Sequence, residues 1–178
     1  MSLIFSREAF RLIIAGLPRV LASPTDLEAR GWMLLGAAWA GTAIENSMLG
    51  AAHAAANPLT AYFGVAHGQA VGMMLPHVLR FNAQEDAAAH AYAEVACAAQ
   101  IASPSETPEA AAEQLTERVE SLLELAGLPR TLDHFGVKPS DVPRLADEAA
   151  RQWTAQFNPR TVNASDFEHL YSVALTPA

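Results

Sequence analysis

Two of the six histidines lie in settings unlike those of an ordinary helical histidine, which usually has a structural role. His53 is flanked by glycine and alanine over positions 50–56, so no bulky side chain crowds its imidazole. His67 comes fourteen residues later and precedes Gly68, which lets a backbone approach closely. Two imidazoles from successive helices can bind a transition metal such as Fe²⁺ or Zn²⁺. A catalytic site usually has three or four protein ligands, so further donors are needed.

The composition excludes several classes of protein. The chain has 178 residues with a net charge of −8, 51% hydrophobic residues and 17% charged residues, which excludes disorder. The acidic balance argues against nucleic-acid binding, which needs a basic patch. The single cysteine, Cys97, excludes a disulfide framework or a CxxC motif and fits a cytoplasmic location. Because 37 residues are alanine, the strongest helix former, we predict an all-α multi-helix bundle.

No segment of the sequence resembles a membrane span or a secretory signal. The first residues lack a basic region, and the apolar run at 12–17 is too short for a signal core. The longest apolar stretch, 32–44, is shorter than a membrane span and contains Gly36 and Gly41. We therefore expect a cytoplasmic protein without a membrane partner.

Hydrophobic spacing, caps and prolines together predict the helical segments. Ser6 is the expected first cap, and Thr25 with Glu28 forms a capping-box pattern. Pro18 and Pro76 are expected to kink or end helices, and Asn57-Pro58 to interrupt one. The residues are interpreted as one helical domain over 1–178, divided into two halves by a polar linker at 101–107. The predicted helical segments are 6–18, 25–49, 50–56, 67–76, 87–99, 107–127, 140–152 and 163–175.

A longer pattern surrounds the two histidines and covers nearly the whole chain. It resembles the C-terminal helical domain of the iron-containing (group III) alcohol dehydrogenases, which have a dehydroquinate synthase-like fold. In that family a ligand histidine is followed by Pro-Leu, then by a second ligand histidine with glycine at fourteen residues, then by Leu-Pro and Asn. The segments that carry the resemblance are Glu45 to His53, Asn57-Pro58-Leu59, His67-Gly68, Leu75-Pro76-His77-Val78, Phe81-Asn82, 26–30 and Asn158-Pro159-Arg160 with Asp166.

The resemblance implies roles for three residues. His53 and His67 would be metal ligands, for Fe²⁺ or Zn²⁺. Asn57 would occupy the catalytic position near nicotinamide and substrate where many members have histidine, although an amide cannot act as an acid or base near neutral pH. The family's other two ligands, an Asp and a His four residues apart on an earlier helix, are not found. Asp86 and His90 have that spacing, but they lie in a charged segment that we expect to be solvated.

The N-terminal α/β domain through which members bind NAD(P) is also not found, because no strand precedes a glycine-rich loop. The first hypothesis is therefore an incomplete helical metal-binding and substrate domain of an alcohol/aldehyde oxidoreductase, inactive alone. It would act on a small alcohol or aldehyde with a partner chain that carries the NAD(P)-binding domain. The alternative is a non-catalytic oligomerisation or binding module. A third possibility is a homodimer that builds one four-imidazole metal site from two chains.

Without the α/β domain, we expect an exposed apolar wall that binds a partner chain or a second copy. The residues expected in this wall are Met48, Leu49, Pro58, Leu59 and Tyr62.

Overall fold

The computed structural model describes residues 2–175, which form eight α-helices, three short 3-10 turns and no strand. The predicted all-α class is therefore confirmed. Within the described residues, no helix is long and apolar enough to cross a membrane. The helices are α1 (Ser2–Ala22), α2 (Leu27–Ser47), α3 (Ala51–Phe63), α4 (His67–Asn82), α5 (Asp86–Ala98), α6 (Pro108–Leu125), α7 (Val142–Ala150) and α8 (Ala164–Leu175).

The chain divides into two compact units, each built from two separate stretches of sequence. One contains the described residues up to Met48 together with Asp86–Ala126; there α1 packs on α2, and α5 packs on α6 and α1. The other contains Leu49–Glu85 together with the described residues from Gly127; there α3 packs on α4 and α7, and α8 packs on α7 and α4. The predicted division at 101–107 is wrong, because the helices on both sides of that linker belong to one unit. The prediction of a single domain stays a prediction.

The core of the second unit is built around α3. Four of its alanines and Leu59 have no exposed surface, and the small alanine side chains let neighbouring helices pack closely. From α8, the fully buried Phe167 and Tyr171 join this core. The Tyr171 hydroxyl donates a hydrogen bond of 2.7 Å to the Ala55 carbonyl of α3. The alanines are Ala51, Ala54, Ala55 and Ala56.

Three prolines that were expected to kink, end or interrupt helices lie inside them. Pro18 is within α1, Pro58 within α3 and Pro76 within α4. An internal proline removes one backbone hydrogen bond and costs about 3 kcal/mol. Pro58 and Pro76 are buried, so the tertiary packing of their side chains offsets that cost. The prediction that Asn57-Pro58 interrupts the helix is wrong, and α3 continues to Phe63.

Helix starts agree in part with the expected caps. At the predicted helix starts, Thr107 caps α6 by accepting a hydrogen bond from Ala110 N, and Asn163 caps α8 by accepting one from Asp166 N. The cap of α2 is Asp26 rather than Thr25, because the Asp26 carboxylate accepts from Ala29 N at 3.0 Å. The prediction that the first helix begins at Ser6 is wrong, since α1 begins at Ser2.

Candidate functional site

The two histidines singled out by spacing come together in the second unit. The imidazole rings of His53 and His67 have centroids 5.5 Å apart and are tilted by 47°. His53 is the third residue of α3 and is partly buried, while His67 is the first residue of α4 and is exposed. The predicted pairing of imidazoles from successive helices is therefore present in the structure.

A three-residue connection joins the two helices that carry the histidines. Gly64 ends α3 with φ +66° and ψ 17°, and its N–H donates to the Thr60 carbonyl at 3.2 Å. This left-handed conformation suits glycine, because a side chain there would be strained. Val65 is buried and Ala66 precedes α4 directly. The tight left-handed ending of α3 thus lets α4 begin after only three residues.

The environment of His53 favours a neutral imidazole. Burial lowers the pKa of His53 below its ordinary value of 6.5, and the nearby His67 lowers that pKa further because two positive rings would repel each other. A neutral imidazole has a free ring nitrogen that can bind a metal ion. His53 therefore has the protonation state that metal binding needs at neutral pH.

We expect His53 to titrate below pH 6.5 in a proton NMR titration of the histidine rings. Because the unfolded chain binds this proton more readily, stability should fall as the pH drops below 6.5 towards the folded-state pKa. Replacing His67 with alanine should raise the pKa of His53 only part of the way back to 6.5, since burial is the larger cause of the lowered pKa. A His53 midpoint at or above 6.5 in the wild-type chain would contradict this expectation.

The donor set fits part of a metal site. Two imidazoles close together suit iron or zinc. Among residues 2–175, however, no group of three or more His, Cys, Asp or Glu side chains is placed to hold a metal ion. The His90 Nδ1 and Asp86 Oδ1 atoms are 3.6 Å apart, and both side chains are exposed, as expected of a solvated pair. His53 and His67 can thus supply two ligands, and a complete site needs donors beyond those that this part of the chain provides.

Asn57 lies on α3 one turn after His53, so the two residues share a helix face. Its side-chain amide donates a hydrogen bond of 2.9 Å to Gln152 Oε1, and the Gln152 amide donates to the Glu148 carbonyl at 3.4 Å. The orientation of Asn57 is therefore fixed by a residue just after α7. Nothing in the sequence around Gln152 indicated this contact, because the two residues are 95 positions apart.

An open cavity lies beside Asn57 and is lined by residues of α3 together with Glu148 and Gln152. Tyr62 forms part of its wall and is 46% exposed. The Arg144 guanidinium lies 4.2 Å from the centre of the Tyr62 ring, a cation–π contact that steadies the ring. This cavity provides space for a small molecule beside Asn57.

The expected exposed apolar wall is only partly correct. Met48 is 37% exposed, and Tyr62 is exposed as predicted. Leu59 has no exposed surface and Pro58 is buried, because both face the core of the second unit. Their inclusion in the wall was wrong, since the helical position of residues 58 and 59 was missed.

Comparisons with known proteins identify the family of this chain. Residues 3–175 match the family described as "Fe-containing alcohol dehydrogenase family, C-terminal". The chain is 34% identical to lactaldehyde reductase of Escherichia coli K12 over 149 residues, which covers 84% of this chain and 38% of that protein. It is 31% identical to 1,3-propanediol dehydrogenase of Citrobacter freundii over 167 residues, which covers 94% of this chain and 43% of that protein.

Solved structures show the same relationship. A crystal structure of 1,3-propanediol oxidoreductase superposes with a TM-score of 0.91 at 30% identity, covering 97% of this chain and 44% of that one. Alcohol dehydrogenase from Oenococcus oeni superposes with a TM-score of 0.88 at 28% identity, covering 94% and 43%. The chain spans less than half the length of each of these proteins. It belongs to the iron-containing alcohol dehydrogenase family and corresponds to the C-terminal helical part of its members.

Proposed function

We propose that this chain is the metal-binding and substrate-contacting helical domain of an alcohol/aldehyde oxidoreductase. The observation that carries the proposal is the juxtaposition of the His53 and His67 rings at 5.5 Å. In this proposal the two imidazoles bind iron, with zinc as the other metal that suits them. The remaining ligands and the NAD(P) site come from a region or partner chain outside the described residues.

A bound iron ion would supply Lewis-acid polarisation of the alcohol or aldehyde oxygen, while the nicotinamide accepts or donates hydride. His53 and His67 would hold the metal through their ring nitrogens. The cavity beside Asn57 and Tyr62 would receive the carbon skeleton of a small alcohol. Asn57 can position a substrate or water by hydrogen bonding, but it cannot carry a proton between them near neutral pH.

Metal retention tests the proposal directly. The purified chain is loaded with Fe²⁺ or Zn²⁺, desalted and subjected to elemental analysis. We expect retained metal in the wild-type chain and its loss in a His53→Ala/His67→Ala double variant. One metal per chain would mean that solvent completes the coordination by the His53–His67 pair, and one per two chains would mean a four-imidazole site shared across a homodimer.

The matched control is His90→Ala, which removes an exposed helical histidine from the other unit. This variant should retain as much metal as the wild-type chain. Equal retention by the double variant would assign the metal to other residues and refute the proposed role of the pair. Lack of retention by the wild-type chain would contradict metal binding by the chain alone, and only a completed protein could then bind it.

A second candidate function, a helical oligomerisation or binding module, is favoured by the surface of α2. Leu27 is 81% exposed and Leu34 is 74% exposed, and their spacing of seven residues places them on one helix face. Gly31 lies between the two leucines and Gly41 follows them. A Cβ added at either glycine would meet no neighbouring atom within 4 Å. Such an apolar face with small residues allows close approach of another helix. In this alternative, the occupant is a second copy of the chain.

We expect the wild-type chain to self-associate at micromolar concentration and a Leu27→Lys/Leu34→Lys variant to remain monomeric. Sedimentation velocity measures both. Leu125→Lys is the matched control, because Leu125 is 54% exposed at the end of α6 and lies outside the α2 face. A wild-type chain that stays monomeric up to millimolar concentration would exclude this alternative.

A further inference from the structure

The helix that carries His53 begins without a capping side chain of its own. Gly50 precedes α3 and has no side chain that could accept hydrogen bonds from the free backbone N–H groups at the helix start. The cap comes from Asn158, 107 residues later, whose Oδ1 accepts a hydrogen bond of 3.1 Å from Ala51 N. His53 lies two residues after Ala51 in the same helical turn.

Asn158 is joined to the last turn of α4 by a reciprocal pair of amide hydrogen bonds. Its Nδ2 donates to Asn82 Oδ1 at 2.7 Å, and Asn82 Nδ2 donates to Asn158 Oδ1 at 3.2 Å. Asn158 Nδ2 also donates to the Arg160 carbonyl at 2.7 Å. With the bond from Ala51, both donors and both acceptor positions of the Asn158 amide are used. Asn82 is 2% exposed, so the pair lies in a low-dielectric environment where such bonds are strong.

Two neighbouring features hold this amide in place. The Arg160 Nη1 donates to the Phe81 carbonyl at 2.7 Å and to Gln84 Oε1 at 2.8 Å, which binds the 158–160 segment to the end of α4. A Cβ added at Gly50 would lie 3.0 Å from Asn158 Oδ1. A side chain at position 50 would therefore crowd the amide, which would have to move away from the start of α3 by a few tenths of an ångström.

We infer that Asn158, paired with Asn82, is a positioning residue for the His53–His67 pair. The Asn158 amide connects the first turn of α3, which carries His53, to the last turn of α4, the continuous helix that begins at His67. Removing it leaves Ala51 N and the Asn82 amide without these partners and frees α3 to shift against α4. The inference rests on the proposed metal-binding function for its consequence, but the geometry can be measured without metal.

The test uses Asn158→Ala in the full chain, with Asn163→Ala as the matched control. Asn163 also caps a helix of the same unit, but that helix, α8, carries neither histidine. Both variants should melt at lower temperature than the wild-type chain. Only Asn158→Ala should weaken or lose the nuclear Overhauser effect between the His53 and His67 ring protons. Only that variant should lower Co²⁺ affinity, by roughly 10- to 100-fold, in a calorimetric titration.

If Asn158→Ala does not fold, Gly50→Ala displaces the same amide by adding a methyl group and should weaken the same ring contact. A folded Asn158→Ala or Gly50→Ala variant with an unchanged ring contact would overturn the inference. If the Asn158→Ala variant loses the ring contact and the wild-type chain binds no Co²⁺, the positioning role is supported and the proposed metal function is contradicted. The two failures are therefore distinguishable.

Discussion

Replacing Tyr171 with alanine should lower the free energy of unfolding by about 3–5 kcal/mol, the usual cost of removing a large aromatic side chain from a core. Tyr171 has no exposed surface, and its ring packs within the core of α3 and α8. Burial raises the pKa of Tyr171, so its hydroxyl stays protonated and can donate to the Ala55 carbonyl. Urea denaturation followed by circular dichroism measures the change.

Tyr171→Phe is the matched control, because it keeps the ring and removes only the hydroxyl. This variant should lose about 1 kcal/mol, the net contribution of one hydrogen bond. Equal losses for the two variants would mean that the hydrogen bond, rather than packing of the ring, dominates. A Tyr171→Ala variant as stable as the wild-type chain would contradict the described core.

A chimeric protein that contains this chain should have dehydrogenase activity, and that activity should depend on His67. In this chimera, residues 3–175 replace the matched C-terminal part of the Citrobacter freundii 1,3-propanediol dehydrogenase. Loaded with iron and supplied with NAD⁺ and 1,3-propanediol, the folded chimera should reduce the nicotinamide. His67→Ala should lower kcat/KM by at least ~100-fold, because losing a metal ligand should cost no less than losing a residue that supports one.

The control in the same chimera is His90→Ala, an exposed residue with no part in the proposed site. It should leave kcat/KM unchanged. Circular dichroism must first show that each chimera is folded. A folded, iron-loaded chimera without activity would favour the binding-module alternative, and full activity of the His67→Ala chimera would exclude His67 as a ligand.

The sequence predicted the pairing of His53 and His67 because the pattern around them extends well beyond the two residues themselves. It also predicted that helices start at Thr107 and Asn163, where each capping hydrogen bond joins residues three positions apart. Local spacing is sufficient for such features, since the interacting groups are joined by one turn of backbone.

The sequence could not predict contacts between distant segments. The Asn57–Gln152 and Asn82–Asn158 pairs are separated by 95 and 76 residues, and nothing local marks either partner. Pro58 was misinterpreted for a related reason: its local effect on the helix is unfavourable, and the compensating burial comes from other helices. Asn82 and Asn158 both lie in segments that carried the family resemblance, which was the available signal for their importance.

The positions of the two histidines within their helices have an electrostatic consequence. His53 and His67 both lie in the first turn, of α3 and α4 respectively. Side chains of an α-helix tilt towards its N-terminus, where the aligned peptide dipoles act like a charge of about +0.5. Two such dipole ends together favour a nearby anion. In the proposed function, both helix ends would stabilise negative charge that develops on a substrate oxygen beside this pair.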